Sequence, residues 1–357
     1  MKTFKNKIAT PLLTGLALSI ACMAANAADF SQRTALAERS LKSGLGVDSA
    51  PLLTRAPGPG QRVATELFVK EFSLSDDGIT TKGLVKTEVG KDKTTVIGDK
   101  WAMQIYGDGT KVKYRNYEFL DSADNKPVGV ASRLSQDALE KLGREFIGRR
   151  LVQFVKLSKN ETLVPWFTEF QVQGGGSIEA GVRPVAETVL ASTVIFTKAV
   201  NGIPVLGPGS KVAVVFDNNG QAAGFDMDWS AYQVTSSIQK VASLSEVQGR
   251  ANKLSPFDLG ASDTKITRFE CGYFDLGARK RDVNAPIQTA CLVHANKRQI
   301  VDKVAYAEDK NSGHTVAAVM SPIPAGLNIA RDANWPQAIQ LLGGTPPNSD
   351  VPPSSKR

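Results

Sequence analysis

Apolar and polar positions alternate with a period of two along most of this chain, the pattern of half-buried strands. The densest run is Thr188–Trp229, where strands are expected at Val189–Lys198, Lys211–Phe216 and Ala222–Trp229. Upstream, the pattern predicts strands at Glu66–Leu74, Ile79–Val89, Trp101–Tyr106 and Lys111–Phe119, then at Leu151–Leu157 and Leu163–Val172. Downstream it predicts Lys265–Phe274, Ile287–Ala295 and His314–Ser321. Asp76-Asp77-Gly78, Gly107-Asp108-Gly109 and Asp217-Asn218-Asn219-Gly220 punctuate these runs as hairpin turns, because Gly and Asn tolerate the backbone geometry required. Trp101, Ile105, Tyr106, Tyr114 and Tyr117 are expected to pack on the first of the resulting sheets.

The period changes to 3.6 in two places. Ser135–Arg150 repeats Leu139, Leu142, Phe146 and Ile147 behind a capping serine. Leu244–Leu254 repeats Val247, Ala251 and Leu254 behind Ser243 and Glu246, which have capping-box spacing. A helix followed by an antiparallel meander thus occurs twice. The fold class expected is α+β, with helices packed on antiparallel sheets and a β-rich N-terminal part. The expected divisions are a leader at 1–27, an arm and linker at 28–62 and a β-rich domain at 63–130. A helix-plus-sheet module follows at 131–232, a shorter one at 240–325, and a disordered tail at 343–357. The arm holds an amphipathic piece, Ser31–Leu45, and the breaker run Ala56-Pro57-Gly58-Pro59-Gly60. The tail is rich in Pro and Ser.

The first residues read as a secretory leader. Lys2, Lys5 and Lys7 precede an apolar stretch, Leu12–Met23, and Ala25-Asn26-Ala27 offers a small-x-small cleavage site. An alternative is lipid attachment at Cys22, but Ser19 stands where such signals carry leucine. No later stretch is apolar enough to span a bilayer. The location expected is therefore periplasmic or secreted. Cleavage leaves 40 basic against 35 acidic residues, lowering the formal net charge from +8 to +5. So mild a balance does not point to nucleic acid. It also leaves two cysteines, Cys271 and Cys291, each alternating with apolar strand neighbours. In an oxidising compartment this pair is a disulfide candidate.

Candidate chemistry is sparse. The two histidines, His294 and His314, stand apart with no soft-ligand cluster, so no metal or other cofactor is expected. Gly174-Gly175-Gly176 does not open a helix after a strand, which excludes a phosphate cradle. Ser237-Ile238-Gln239-Lys240 has Ser-x-x-Lys spacing but lacks the accompanying Lys-Thr-Gly strand. Asp226 and Asp228 share one strand face, the arrangement a hydrolytic carboxylate pair or a calcium site needs. Arg279, Lys280 and Arg281 form the sharpest basic cluster, on the loop between the cysteines. Lys141, Arg144, Arg149 and Arg150 lie off the apolar stripe of the first helix.

One stretch carries a family resemblance. After the strand ending at Lys198 come Asn201-Gly202, Ile203-Pro204-Val205, Gly207, a strand with Val212 and Val214, then Asp217 and Gly220. This run resembles the PepSY and FTP modules of thermolysin-like and fungalysin-like protease propeptides. It covers about forty residues well, and less closely the helix from Ser135. The resemblance implies a cystatin-like helix on an antiparallel sheet that assists or inhibits a protease. No His-Glu-x-x-His occurs, so the partner is expected to be a separate, unidentified protein or peptide. The role expected is non-catalytic binding by strand addition at an edge formed by Gly202, Ile203, Pro204, Val205 and Gly207. The alternatives are a hydrolase using Asp226 and Asp228, and a structural envelope component held by its basic loop.

Overall fold

A computed structural model describes residues 48–75, 78–121, 124–175, 185–261, 263–277, 285–299, 314–326 and 339–342. The leader, the region around Cys22, the basic cluster Arg279, Lys280 and Arg281, and the tail 343–357 all lie outside the described residues.

The chain opens with β1 (Ser49–Arg55) and α1 (Gln61–Phe72), followed by β2 (Leu84–Val89), β3 (Lys93–Gly98), β4 (Trp101–Tyr106) and β5 (Lys111–Asn116). A short β6 (Val128–Gly129) precedes α2 (Gln136–Phe146), which runs into a π turn at Ile147–Leu151. Next come β7 (Glu161–Gly175), β8 (Val185–Val200), β9 (Ile203–Leu206), β10 (Ser210–Phe216), β11 (Ala222–Trp229) and β12 (Tyr232–Lys240). The last part comprises α3 (Leu244–Leu254), β13 (Thr264–Phe274), β14 (Gln288–Gln299), β15 (His314–Pro324) and β16 (Ile339–Leu342).

The fold is β-rich, which corrects the α+β, cystatin- or PepSY-like expectation of helices packed on sheets. Fourteen strands join in one sheet, in the order β16-β15-β14-β13-β9-β8-β10-β11-β5-β4-β3-β2, with β6 and β7 also paired to β8. A separate two-stranded ribbon pairs β1 with β12. Three segments not read as strands account for much of the difference: β1, β9 and β12. Proline hid the first two. Pro51 sits at a register shift in β1, and Pro165 at one in β7, because proline supplies no ladder N–H and the strand bulges around it.

Two other expectations change. Glu66–Leu74 is not a strand but lies mostly within α1, whose buried residues Ala64, Phe68 and Phe72 recur every fourth position. Leu151–Leu157 is likewise no strand. Leu151 closes the π turn, and Val155 is buried one turn on. By contrast α3 has the expected bounds, and Ser243 and Glu246 make the full capping box. Ser135 caps α2 by accepting from the Ala138 N–H.

Alternation sorts the side chains into layers. Val194, Phe196, Val212, Val214, Phe216, Phe225 and Met227 line one face of the central strands and pack against α1 and α2. Phe68 of α1 stacks on Phe154 and Phe225, at centroid distances of 3.8 and 5.9 Å. Trp101, Ile105 and Tyr114 are buried in this core as expected, whereas Tyr117 is exposed. On α2, a Cβ at Gly143 would lie 2.6 Å from the Phe196 ring, so the missing side chain sets how close helix and sheet come.

The opposite face presents Ile195 and Ala213, with Trp166 and Phe167 of β7. These meet Phe274, Ala290 and Leu292 of the C-terminal strands, which fold back across part of the sheet. The far side of those strands carries Phe269, Cys271, Cys291, Val293 and Ile323 under Val247 and Ala251 of α3. The order through the molecule is therefore α1 and α2, central strands, C-terminal strands, α3. Strand β9 joins the two sets, antiparallel to β8 and parallel to β13.

Candidate functional site

Cys271 and Cys291 stand directly opposite each other on β13 and β14 and are disulfide-bonded, with a Cα–Cα distance of 4.0 Å. Closing a loop of 20 residues contributes about 3 kcal/mol in the chain-entropy account. A buried structural disulfide fits an extracytoplasmic location. Among the described residues, no helix is long and apolar enough to cross a membrane.

The expected contact edge has a different position. Ile203, Pro204, Val205 and Leu206 are all buried, and β9 has neighbours on both sides. Pro204 lies opposite Ala199 of β8, and Val205 opposite Tyr273 of β13. Gly202 and Gly207 adopt positive φ (81° and 87°) at the two ends of the strand. A Cβ at Gly207 would meet the Asp275 carbonyl at 2.6 Å. Ile203–Leu206 are thus interior strand residues. Proline is tolerated there because the strand is short and its second neighbour pairs only with Val205 and Leu206.

The loop after β9 closes over a buried ionic knot. Arg55 of β1 pairs with Asp275, and its Nη2 donates to the Gly209 carbonyl at 3.2 Å. The Tyr232 hydroxyl donates to Asp275 Oδ2 at 2.6 Å. Burial works against the Arg55 charge, but Asp275, with Tyr232 and Asp228 nearby, outweighs it and holds the guanidinium above its usual value. Burial, then the Asp275 charge, push Tyr232 well above the ordinary tyrosine range.

A second pair lies close by. Lys198 Nζ is 3.1 Å from Glu161 Oε1, donates to the Ser230 carbonyl at 2.9 Å, and sits 4.6 Å from the Trp229 ring centroid. Both side chains are almost wholly buried, and burial lowers the Lys198 pKa despite Glu161. On the C-terminal strands, Glu270 accepts from Trp166 Nε1 at 2.6 Å and pairs with Arg268, which lies over the Trp166 and Phe167 rings. These clusters lock strands together. Each is assembled from residues far apart in sequence.

Asp226 and Asp228 do share a face. Register sets each opposite a lysine of β5: Asp226 beside Lys113, and Asp228 beside Lys111. Asp228 is 1% exposed, and its charge helps to favour the Arg55 guanidinium, so the two do not form an open carboxylate pair. Three positions apart on β12, Ser237 and Lys240 point to opposite faces. His294 faces Met320, whereas the His314 backbone pairs six residues away along β15, about 20 Å at the strand repeat. Among the described residues, no group of three or more His, Cys, Asp or Glu is placed to hold a metal.

Two open surfaces remain. Strand β2 ends the sheet, and all six of its residues are exposed, including Leu84, Val85 and Val89. Lys86 and Glu88 form an ion pair at 2.6 Å on it. The other surface is the sheet face opposite α1, where β5 displays Lys111, Lys113 and Arg115 while Val112, Tyr114 and Asn116 are buried. Alongside lie Gln104 and Tyr106 of β4 and Lys93 of β3. Arg115 extends across Gly224 to donate to the Tyr114 and Phe225 carbonyls at 2.7 and 3.0 Å. Burial lowers Lys113, and Arg115 and Lys111 add repulsion that Asp226 does not cancel. Burial also lowers Arg115. The strand itself was expected, and Lys-Val-Lys-Tyr-Arg-Asn already shows cations at every second position.

The chain matches no family model and no curated protein. Among solved structures, it is similar to an uncharacterised protein from Eubacterium rectale ATCC 33656. That match has a TM-score of 0.44 and 10% sequence identity, and covers 79% of this chain and 87% of that one.

Proposed function

We propose that this chain is an exported, non-catalytic binding protein that takes an extended peptide, or an extended segment of a protease, by strand addition. One observation carries the reading. The outer edge of β2 has no strand partner among the described residues, and every residue of the strand is exposed, with three apolar side chains. Such an edge offers unpaired backbone donors and acceptors to another extended chain, with side-chain contacts to select it. The buried Asp228 and the lysines opposite both carboxylates weigh against hydrolysis at that pair. Export rests on the leader pattern of residues 1–27 together with the disulfide. The resemblance of Thr188–Trp229 to protease-propeptide modules makes thermolysin-type proteases the first partners to try.

The test is hydrogen exchange on the purified protein with and without peptides selected from a random library, run beside inhibition assays on thermolysin-type proteases. The expected result is slowed amide exchange confined to Leu84–Val89 when a peptide binds. A library that yields no binder, or protection that appears only elsewhere, would falsify strand addition at β2.

A further inference from the structure

Four cations from two strands meet on the open sheet face: Lys93 on β3, with Lys111, Lys113 and Arg115 on β5. Register places Tyr106 between Lys93 and Lys111, and Gln104 beside Lys113. Asp226 and Asp228 are the facing carboxylates from β11, opposite Lys113 and Lys111, and Lys86 and Glu88 on β2 already pair with each other. Lys111 and Lys113 are half-buried by this packing, yet neither makes an ion pair within the described residues. Exposed lysines of that kind would be solvated at little cost. Partly desolvated ones that repel each other gain from an anionic partner.

The spacing says what kind of anion. Same-face residues on a strand are two positions apart, about 6.8 Å at the antiparallel repeat. An extended polypeptide carries its own alternate side chains at the same interval, for the same reason. A sugar polymer takes its repeat from its rings and has no such register with a strand. We infer that this face docks an acidic, extended segment of the partner polypeptide along β5, with carboxylates at alternate positions against Lys111, Lys113 and Arg115, and with Lys93 flanking its path two strands from Lys111. The inference rests on the partner being a polypeptide, as proposed above, and adds the chemistry of its sequence. Gln104 and Tyr106 supply neutral hydrogen-bonding groups between the cations.

The experiment compares synthetic peptides of about ten residues on the purified full chain, by fluorescence anisotropy at about 50 and about 300 mM salt, on either side of the Debye regime in which exposed charges are screened. One peptide alternates Glu with Thr; a second has the same composition with its Glu residues in a block; polygalacturonate serves as the glycan probe. The alternating peptide is expected to bind best and to weaken at the higher salt. Lys111→Gln with Lys113→Gln should reduce its affinity about tenfold, a factor worth about 1.4 kcal/mol. The control pair Lys141→Gln and Arg149→Gln, exposed cations on α2 and on the π turn after it, should leave it unchanged. Binding should also raise the lowered Lys113 pKa, read by NMR of the side-chain ammonium.

Equal affinity for the block peptide, tighter binding of polygalacturonate, or indifference to the β5 substitutions each overturns the inference. Thermal melts of the variants separate lost binding from lost fold. If acidic peptides fail while neutral ones still protect β2 from exchange, the inference falls and strand addition stands. If no peptide binds at all, both fall.

Discussion

The two faces of the same sheet have opposite characters. On the side of α1 and α2, β5 contributes Val112 and Tyr114 to an aromatic core with Phe68, Phe72 and Phe225. On the other side, the residues in between are Lys111, Lys113 and Arg115. A single six-residue strand thus contributes apolar side chains to the core on one face and carries three cations on the other. Where the C-terminal strands fold over that second face, the residues become apolar again, as at Ile195 and Ala213. The difference teaches that polarity on this sheet follows what covers it, strand by strand.

Substitutions on the two faces should therefore separate cleanly. The largest effect belongs to the sealed side: Phe225→Ala, at a fully buried ring in contact with Phe68, Phe72 and Tyr114, should cost about 3–5 kcal/mol in denaturant unfolding. Glu161→Gln should come next at about 3 kcal/mol, because it strands the buried Lys198 charge without its counter-ion. A stability loss of under about 1 kcal/mol there would mean that water reaches the pair. Replacing Cys271 and Cys291 together by serine should cost about 3 kcal/mol, less any strain relieved.

A smaller effect appears only in alkali. Burial pushes Tyr273 up to about 12, against about 10 for an unfolded chain. The folded state therefore holds a proton that the unfolded state has lost, and stability should fall as pH rises from about 10 towards about 12. Tyr273→Phe gives up the hydrogen bond to the Pro51 carbonyl and should start less stable, but the gap to wild type should narrow across that window. A constant gap would place the alkaline loss elsewhere. Smallest of all, Lys113→Gln on the open face should change stability by no more than about 0.5 kcal/mol. A loss as large as that of Phe225→Ala would show that the open face is not free.

What the chain's pattern revealed depended on distance. Strand β11 and helix α3 were legible to the residue, since Phe225, Met227 and Trp229 alternate with Asp226 and Asp228 behind the Asp217–Gly220 turn, and Ser243 with Glu246 caps a local repeat. Helix α1 was misread because Val63, Leu67, Phe68, Val69 and Phe72 are strand formers by propensity, and the fourfold spacing of Ala64, Phe68 and Phe72 is hidden among them. β9 was read as a contact edge because Pro204 supplies no ladder donor there. Nothing local marks a second neighbour on its far side. The cationic stripe was written in the order of β5, but its openness depends on which strands the C-terminal part covers. The ionic knot was illegible in principle: Arg55 and Asp275 are 220 residues apart.

That same separation fixes an order of events. β1 comes early in the chain, yet its ladder partner β12 lies far downstream and its counter-ion Asp275 comes 220 residues after Arg55. Until then Arg55 has no buried partner, and Leu52 and Leu53 have no interior to enter. Contacts of such long range are slow to close, because loop entropy is lost before any contact repays it. The beginning of the described fold is therefore secured only once Asp275 and β12 are in place. Until they are, it is a strand with apolar residues and no ladder partner.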